Sequence, residues 1–325
     1  MKKAVIAGIL LFFSFELFSA SEADFKLTLN GWFGPASTII NESLLDKKGS
    51  DAKTSSLLKW ESYGLPSFDA SAQILVFNKL YFNVGGFYVL PSSTGKMQDW
   101  DWINLFSTGT GELTHYSIHE NNLDNYFYAD TKAGYLFKPA QRLELIPFIS
   151  FRYSYFSFTS TNGYRQYGEK LGEQNGHAIH APWTSDIPKK QLEGKIITLE
   201  EQNFFFGAGT QINLNFSDNL SSSLVVQVLP SLKSNTLDTH HRRSTKYTLF
   251  NNTRKLALDS SFLLQYKVSE QHRLSLKALY CYSFADNISL YQSASKISWS
   301  EVDNPGKLQQ HDFTFSVGYT YYYEK

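Results

Sequence analysis

Along much of the chain, apolar and polar residues alternate with a period of two. Near the C-terminal end Phe313, Phe315, Val317, Tyr319, Tyr321 and Tyr323 share one face, and Asp312, Thr314, Ser316, Gly318 and Thr320 share the other. A period of two sustained over this distance describes a β-strand and not a helix. The pattern recurs at Leu274, Leu276, Ala278, Tyr280, Tyr282 and Phe284, and again from Leu143 to Tyr155 and from Leu258 to Tyr266. The apolar faces of these runs carry no charge. That suits a wall facing lipid, where Lys or Arg at the bilayer midplane costs roughly 2–4 kcal/mol.

A soluble sandwich alternates too, and the connections break the tie. Four short turn-like links recur, at 77–79, 138–141, 216–219 and 269–272, between long polar segments at 41–54, 91–121, 161–194, 231–246 and 288–309. Short turns at one end and long loops at the other are the asymmetry of an outer-membrane barrel. Five long loops imply an all-β fold, a ten-stranded antiparallel up-and-down transmembrane β-barrel. Gly64-Leu65-Pro66 interrupts the second strand, and the proline removes a ladder donor there, so a bulge or bend is expected.

Composition supports this picture. Aromatic residues make up 16% of the chain while mean hydropathy is only -0.29. A barrel combines those values naturally, with aromatics on its lipid face and polar residues in its lumen and loops. Thirty basic and 30 acidic side chains balance to a formal charge of +0, which gives no argument for nucleic acid as a partner. The single cysteine, Cys281, excludes an intrachain disulfide framework and any multi-cysteine metal site. Lys2-Lys3 followed by an apolar run from Ala4 to Phe15 reads as an export signal too short to span a bilayer. Cleavage is expected near Ala23, with Ala20 as the alternative. Residues 1–23 are then a signal peptide and 24–325 a single barrel domain of the outer membrane.

Candidate chemistry lies in two clusters. Asp99-Trp100-Asp101-Trp102 puts two carboxyls one residue apart between indoles, and such a pair resists ionising together. Far along the chain stands Asp238-Thr239-His240. The i, i+2 spacing places both members of each pair on one face of a strand. Asp99 and Asp101 fall at the top of strand three, and Asp238 and His240 beyond strand seven, nearly opposite in a ring of ten. Two acids facing an imidazole oriented by a carboxylate, across a gap that holds one water, form a plausible hydrolytic site. The bland reading of each cluster is a solvated loop.

With these residues in view, the chain resembles the omptins, outer-membrane proteases of Gram-negative bacteria. Gly95-Lys96-Met97-Gln98-Asp99-Trp100-Asp101-Trp102 resembles the family's first catalytic motif, and Asp238-Thr239-His240 its second. Ser56-Leu57-Leu58-Lys59-Trp60, the spacing of Thr114, Ser117 and His119, and Tyr155-Phe156-Ser157-Phe158-Thr159 are supporting matches. The resemblance implies endoproteolysis of polypeptides at the cell surface by an activated water, with no covalent nucleophile and no cofactor. Asp99, Asp101, Asp238 and His240 would be catalytic, with Asp99 chosen to face the water, although the sequence leaves open which of Asp99 and Asp101 does so. The resemblance also implies an acidic pocket for a basic substrate side chain. Its two acidic positions fall at Thr38 and Thr236 here, with Glu42 four residues beyond Thr38, so a preference for small, polar or apolar residues is expected. The basic residues that hold lipopolysaccharide on the family's outer wall fall at Tyr155 and Glu200. Outer-membrane lipid is therefore an expected partner, and dependence on lipopolysaccharide is not expected.

Other readings compete. A non-enzymatic barrel, an adhesin or binding protein on the same scaffold, fits the strand pattern equally, whereas ten strands leave too little lumen for a general pore. A barrel lipase needs a Ser–His pair on the lipid-facing wall, and Ser275 and Ser283 have no histidine at matching height. His115 with His119, and His177 with His180, have spacings that could make half a zinc site on a helical turn. They lie in segments that read as loops with no further ligands at fixed spacing, so no metal is expected. His241-Arg242-Arg243 reads as a solvated charge cluster, and Cys281 as barrel filler.

Overall fold

The computed structural model describes residues 25–47, 51–174, 176–243, 247–250, 254–295 and 298–324, and the expected signal peptide lies outside them. Sixteen strands follow in order: β1 (Phe25–Leu45), β2 (Thr54–Val76), β3 (Leu80–Val89), β4 (Ser92–Asp101), β5 (His115–Tyr135), β6 (Phe137–Ala140), β7 (Leu143–Tyr167), β8 (Lys170–Gln174), β9 (His177–His180), β10 (Lys190–Gln191), β11 (Lys195–Asn215), β12 (Leu220–His240), β13 (Tyr247–Phe250), β14 (Leu256–Lys267), β15 (His272–Ser295) and β16 (Ser298–Glu324). A short helical turn, α1 (Asn104–Ser107), follows β4.

Each of ten staves pairs antiparallel with the next, and β16 closes the ring on β1. In order the staves are β1, β2, β3 continued by β4, β5, β7, β11, β12, β14 continued by β13, β15 and β16. Closure leaves no unpaired sheet edge around the ring, which is what a strand-built span in lipid requires. The alternation read from sequence sets the two faces. Phe313, Phe315, Val317 and Tyr319 are exposed on the outer wall, while Asp312, Thr314, Ser316 and Thr320 are buried in the lumen.

The lower turns fall where the short links predict them, with Phe77 and Asn78 both in the left-handed region at φ 54° and 53°. At the upper end the expected loops are largely strand. β4, the first turns of β5, the top of β12 and most of 288–309 extend the ladder as polar walls. Polar composition marked these segments as loops, but a ladder satisfies backbone groups equally well when its side chains face water. The expected bulge is present. Ala36 pairs with Leu65 and Thr38 with Ser62, so Tyr63 and Gly64 together face Ser37, one residue in excess, and Gly64 takes φ 65°.

The upper lumen is plugged by an apolar cluster that includes Trp60, Phe156, Phe158, Met97, Leu123 and Leu199. Below it a polar cavity of about 380 Å³ is crossed by Arg152, which bonds Asp130 at 3.1 Å and Asp259 at 2.6 Å. The apolar cluster and the charged residues around this cavity share the lumen of the barrel.

Candidate active site

β4 reaches its position because β2 grips it from one side and β5 from the other. Leu58 stands opposite Asp99 on β2, and Ser117 stands opposite it on β5. A Cβ added to Gly95 would lie 2.0 Å from the Glu61 carbonyl oxygen, so this close approach needs glycine. Asp101 is held from above. The Thr114 hydroxyl donates to its carbonyl at 2.9 Å and accepts from the Ile103 amide at 3.2 Å, while the Trp102 amide donates to the Ser55 carbonyl. Asp99 is buried, and Trp100 turns to the opposite face to pack on Tyr116, ring centroids 5.8 Å apart. The dry surroundings of Asp99 therefore come from the barrel interior and not from Trp100, contrary to the sequence reading.

Burial raises the Asp99 carboxyl well above the ordinary carboxylate range. The charge of Asp101 adds to this, Arg243 opposes it, and Asp238 raises it further. The influence of Asp238 also places the second cluster within electrostatic reach across the barrel. There, at the top of β12, His240 Nε2 lies 2.7 Å from Asp238 Oδ2, both side chains buried and on one face. Among the described residues, buried Asp99 Oδ1 and Asp238 Oδ1 have no hydrogen-bond partner. Unpartnered buried carboxyl oxygens are costly and are suited to a water or a substrate. Next to Asp101 an open cleft of about 470 Å³ runs past His115, Arg165, Tyr167 and Arg243.

The Omptin family model matches residues 24–323. The chain belongs to the omptin family. Its fold agrees with the crystal structure of the outer membrane protease OmpT from Escherichia coli, at a TM-score of 0.75 and 14% identity over 92% of this chain and 97% of that one. The outer membrane protein OprG from Pseudomonas aeruginosa aligns over 92% of this chain and 95% of its own at 8% identity, with a TM-score of only 0.38. No curated protein matches the sequence. As an omptin, the chain is an outer-membrane β-barrel of a protease family.

Two further residues, neither of them read as catalytic from the sequence, lie beside these pairs. Glu42 is buried on β1, opposite Leu58, in the same row as Asp99. Trp60 Nε1 donates to its Oε2 at 2.9 Å, while Oε1 has no partner among the described residues. Burial pushes the Glu42 carboxyl well up, followed by the charge of Asp238, against the opposing Trp60 bond. The signal was available, because a glutamate on the lumen phase of β1 after Ala36, Thr38 and Ile40 is a buried acid by position.

The second is Arg243, read as part of a solvated cluster. Its guanidinium reaches within 3.7 Å of Asp99 Oδ2 with the side chain half exposed. Around it, Arg242 donates to the Glu193 carbonyl and His241 Nε2 pairs with Thr198 at 2.9 Å, so the segment folds back onto the barrel. Arg243 opposes protonation of Asp99. Removing it should therefore move the limb of the pH–activity profile that belongs to Asp99 to higher pH, and an unchanged profile in Arg243→Ala would show that the contact has no influence in solution.

The remaining histidines lie in strands. His115 and His119 are on β5, where four residues span about 13 Å. His115 Nδ1 pairs with Thr114 at 3.0 Å, and burial, then His180, Arg243 and Arg165, lower its pKa to about 4. His119 uses both nitrogens, on the Asn162 carbonyl and the Ser117 hydroxyl. His177 and His180 bound β9. Among the described residues, no three His, Cys, Asp or Glu side chains converge as metal ligands. Cys281 packs against the cluster of Phe205, Leu229 and Ala257.

The two positions expected from the sequence to set specificity are buried as well. Thr38 stands opposite Asp312 and Ser62, four residues below Glu42. The Thr236 hydroxyl donates to Glu201 Oε2 at 2.9 Å, so it is not a free wall of the pocket.

Proposed function

We propose that this omptin is an endoprotease that hydrolyses polypeptides at the outer, extracellular rim of the barrel by direct attack of water. The observation that carries this reading is the placement of Asp99 with Asp101 on the third stave and Asp238 with His240 on the seventh, with unpartnered carboxyl oxygens on both sides. Because Asp238 engages Nε2, Nδ1 of His240 is the nitrogen that takes the proton from water and then gives it to the amide nitrogen as the C–N bond breaks. Asp238 orients the imidazole and stabilises its charged form. Asp99, which keeps its own proton, hydrogen-bonds the carbonyl oxygen of the scissile bond as negative charge develops on it, and Asp101 supports that proton arrangement. Activity then requires a protonated acid and an unprotonated base, so the profile against pH is a bell.

The test is incubation of the purified, folded barrel with denatured proteins and identification of the new termini. Discrete internal cleavage lost in Asp99→Ala and His240→Ala supports the proposal. An inert wild type favours a non-enzymatic barrel on this scaffold.

Lipopolysaccharide is proposed to be dispensable. Tyr155 donates to Glu200 at 3.2 Å at the two outer-wall positions, and Arg152, the nearby arginine, is buried in the lumen with Asp130 and Asp259. Barrel refolded in detergent should be active as it stands. Activity that appears only after lipopolysaccharide is added would refute this.

A further inference from the structure

Below the two pairs the lumen holds a second set of charges that the proposed chemistry does not use. Glu201, on the lumen phase of β11, stands opposite Thr236 and so lies two residues below the level of Asp238. Its carboxylate is buried and receives Asn203 Nδ2 at 2.6 Å, Thr236 Oγ1 at 2.9 Å and the Nζ of Lys255. Lys255 is itself buried, and its ammonium also donates to Gln310 Oε1 at 3.2 Å. Its backbone amide is fixed on Ser231 Oγ at 2.8 Å, immediately before β14 begins. A cavity of about 40 Å³ touches Lys255, Thr38, Asn203, Gln310 and Asp312, so little space remains around the ammonium.

Glu201 is continuous with the site above. The charges that bear on Glu42 are those of Asp238, Glu201 and Asp99, which makes Glu42 the link between the two levels. A buried carboxylate two residues beneath Asp238, already equipped with two neutral donors, has the build of a receptor for a cation. A buried cation needs such a partner, and a buried carboxylate left alone is strongly unfavourable.

We infer that the lumen beneath the two pairs is a cation-binding subsite occupied by the protein's own Lys255, which thereby excludes lysine and arginine side chains of a substrate. This inference rests on the endoprotease reading and deepens it, because it assigns the substrate class. The acid absent from Thr236 is supplied from the neighbouring stave by Glu201, and Lys255 neutralises it. Substrates are then cut after residues whose side chains bring no charge into the pocket. Loss of Lys255 converts the subsite to one that takes a basic side chain.

The test uses Lys255→Met and Lys255→Gln in the full barrel, each alone and combined with Glu201→Gln. The glutamine variant keeps an amide that can donate to Glu201, so it covers the case in which the methionine variant does not fold. Two readouts are taken. In calorimetric titration, agmatine, a guanidinium on a short alkyl chain, should bind the single variants about ten-fold or more tighter than it binds wild type. The double variants should lose that gain. In cleavage profiling, the single variants should raise the ratio of basic to non-basic residues before the cut by about the same factor. Agmatine binding that is equal in wild type, single and double variants overturns the inference. So does cleavage by the single variants with no basic shift. If every form is proteolytically inert, the endoprotease reading fails while the agmatine titration still decides the subsite.

Discussion

His240→Ala and Asp99→Ala are each expected to lower kcat/KM for peptide hydrolysis by about 10²–10⁴-fold, the range for loss of a positioned acid or base. In the proposed mechanism the histidine variant removes the group that accepts the proton of water, and the aspartate variant removes the buried acid across the barrel. Asp238→Asn should fall in the same range with the fold intact. The amide can hold the ring but cannot stabilise its charged form, and it can present its NH2 to Nε2 and so invert which nitrogen carries the proton. Steady-state rates on one fluorogenic peptide, with barrel integrity checked on the same samples, measure all three. Wild-type rates in any of these variants would remove that residue from the mechanism.

Asp99→Asn should also make the barrel more stable at neutral and alkaline pH, by about 1–2 kcal/mol, while activity is lost. The sign follows from burial. The folded carboxyl holds its proton well above the ordinary range, whereas in the unfolded chain it ionises near the ordinary value of about 3.9. Unfolding therefore releases a proton, and the wild type loses stability as pH rises from the unfolded value through the folded one. Asparagine has no such proton to lose. The stability difference between variant and wild type should be widest above neutrality and close as pH falls towards about 4. Glu42→Gln should follow the same course, because burial raises that carboxyl for the same reason. Denaturant midpoints measured from pH 4 to 9 decide it. A gap that is constant or that widens at low pH would contradict the protonation assigned to Asp99.

The barrel was legible because lipid imposes a one-sided rule. Phe313, Phe315, Val317 and Tyr319 must face outward and Asp312, Thr314 and Ser316 inward, so a period of two reveals strand, face and span together. That each of the two pairs shares one face was legible for the same reason, since i, i+2 on β4 or β12 means one face. What a linear pattern does not carry is which residue of another stave lies across the lumen. Lys255 meets Glu201 over 54 positions of sequence, and Arg243 meets Asp99 over a longer gap, through side-chain reach and not through register. Glu200 drew attention as the outer-wall residue, and its neighbour Glu201, facing the lumen by alternation, is the one beneath the site. Segments from 91 to 121 and 288 to 309 read as loops because polar composition is shared by loops and by strands that rise above the membrane into water.

The central claim is that two pairs on facing staves act as one unit on one water. A double-mutant cycle on the pairs tests it most directly, with kcat/KM measured for wild type, Asp99→Ala, His240→Ala and the double variant. Residues that act as a unit are grossly non-additive. The account predicts that wild type cleaves and that the double variant is no slower, within a few-fold, than the slower single variant. Losses that multiply across the cycle, or a folded wild type that leaves every peptide intact, would contradict it.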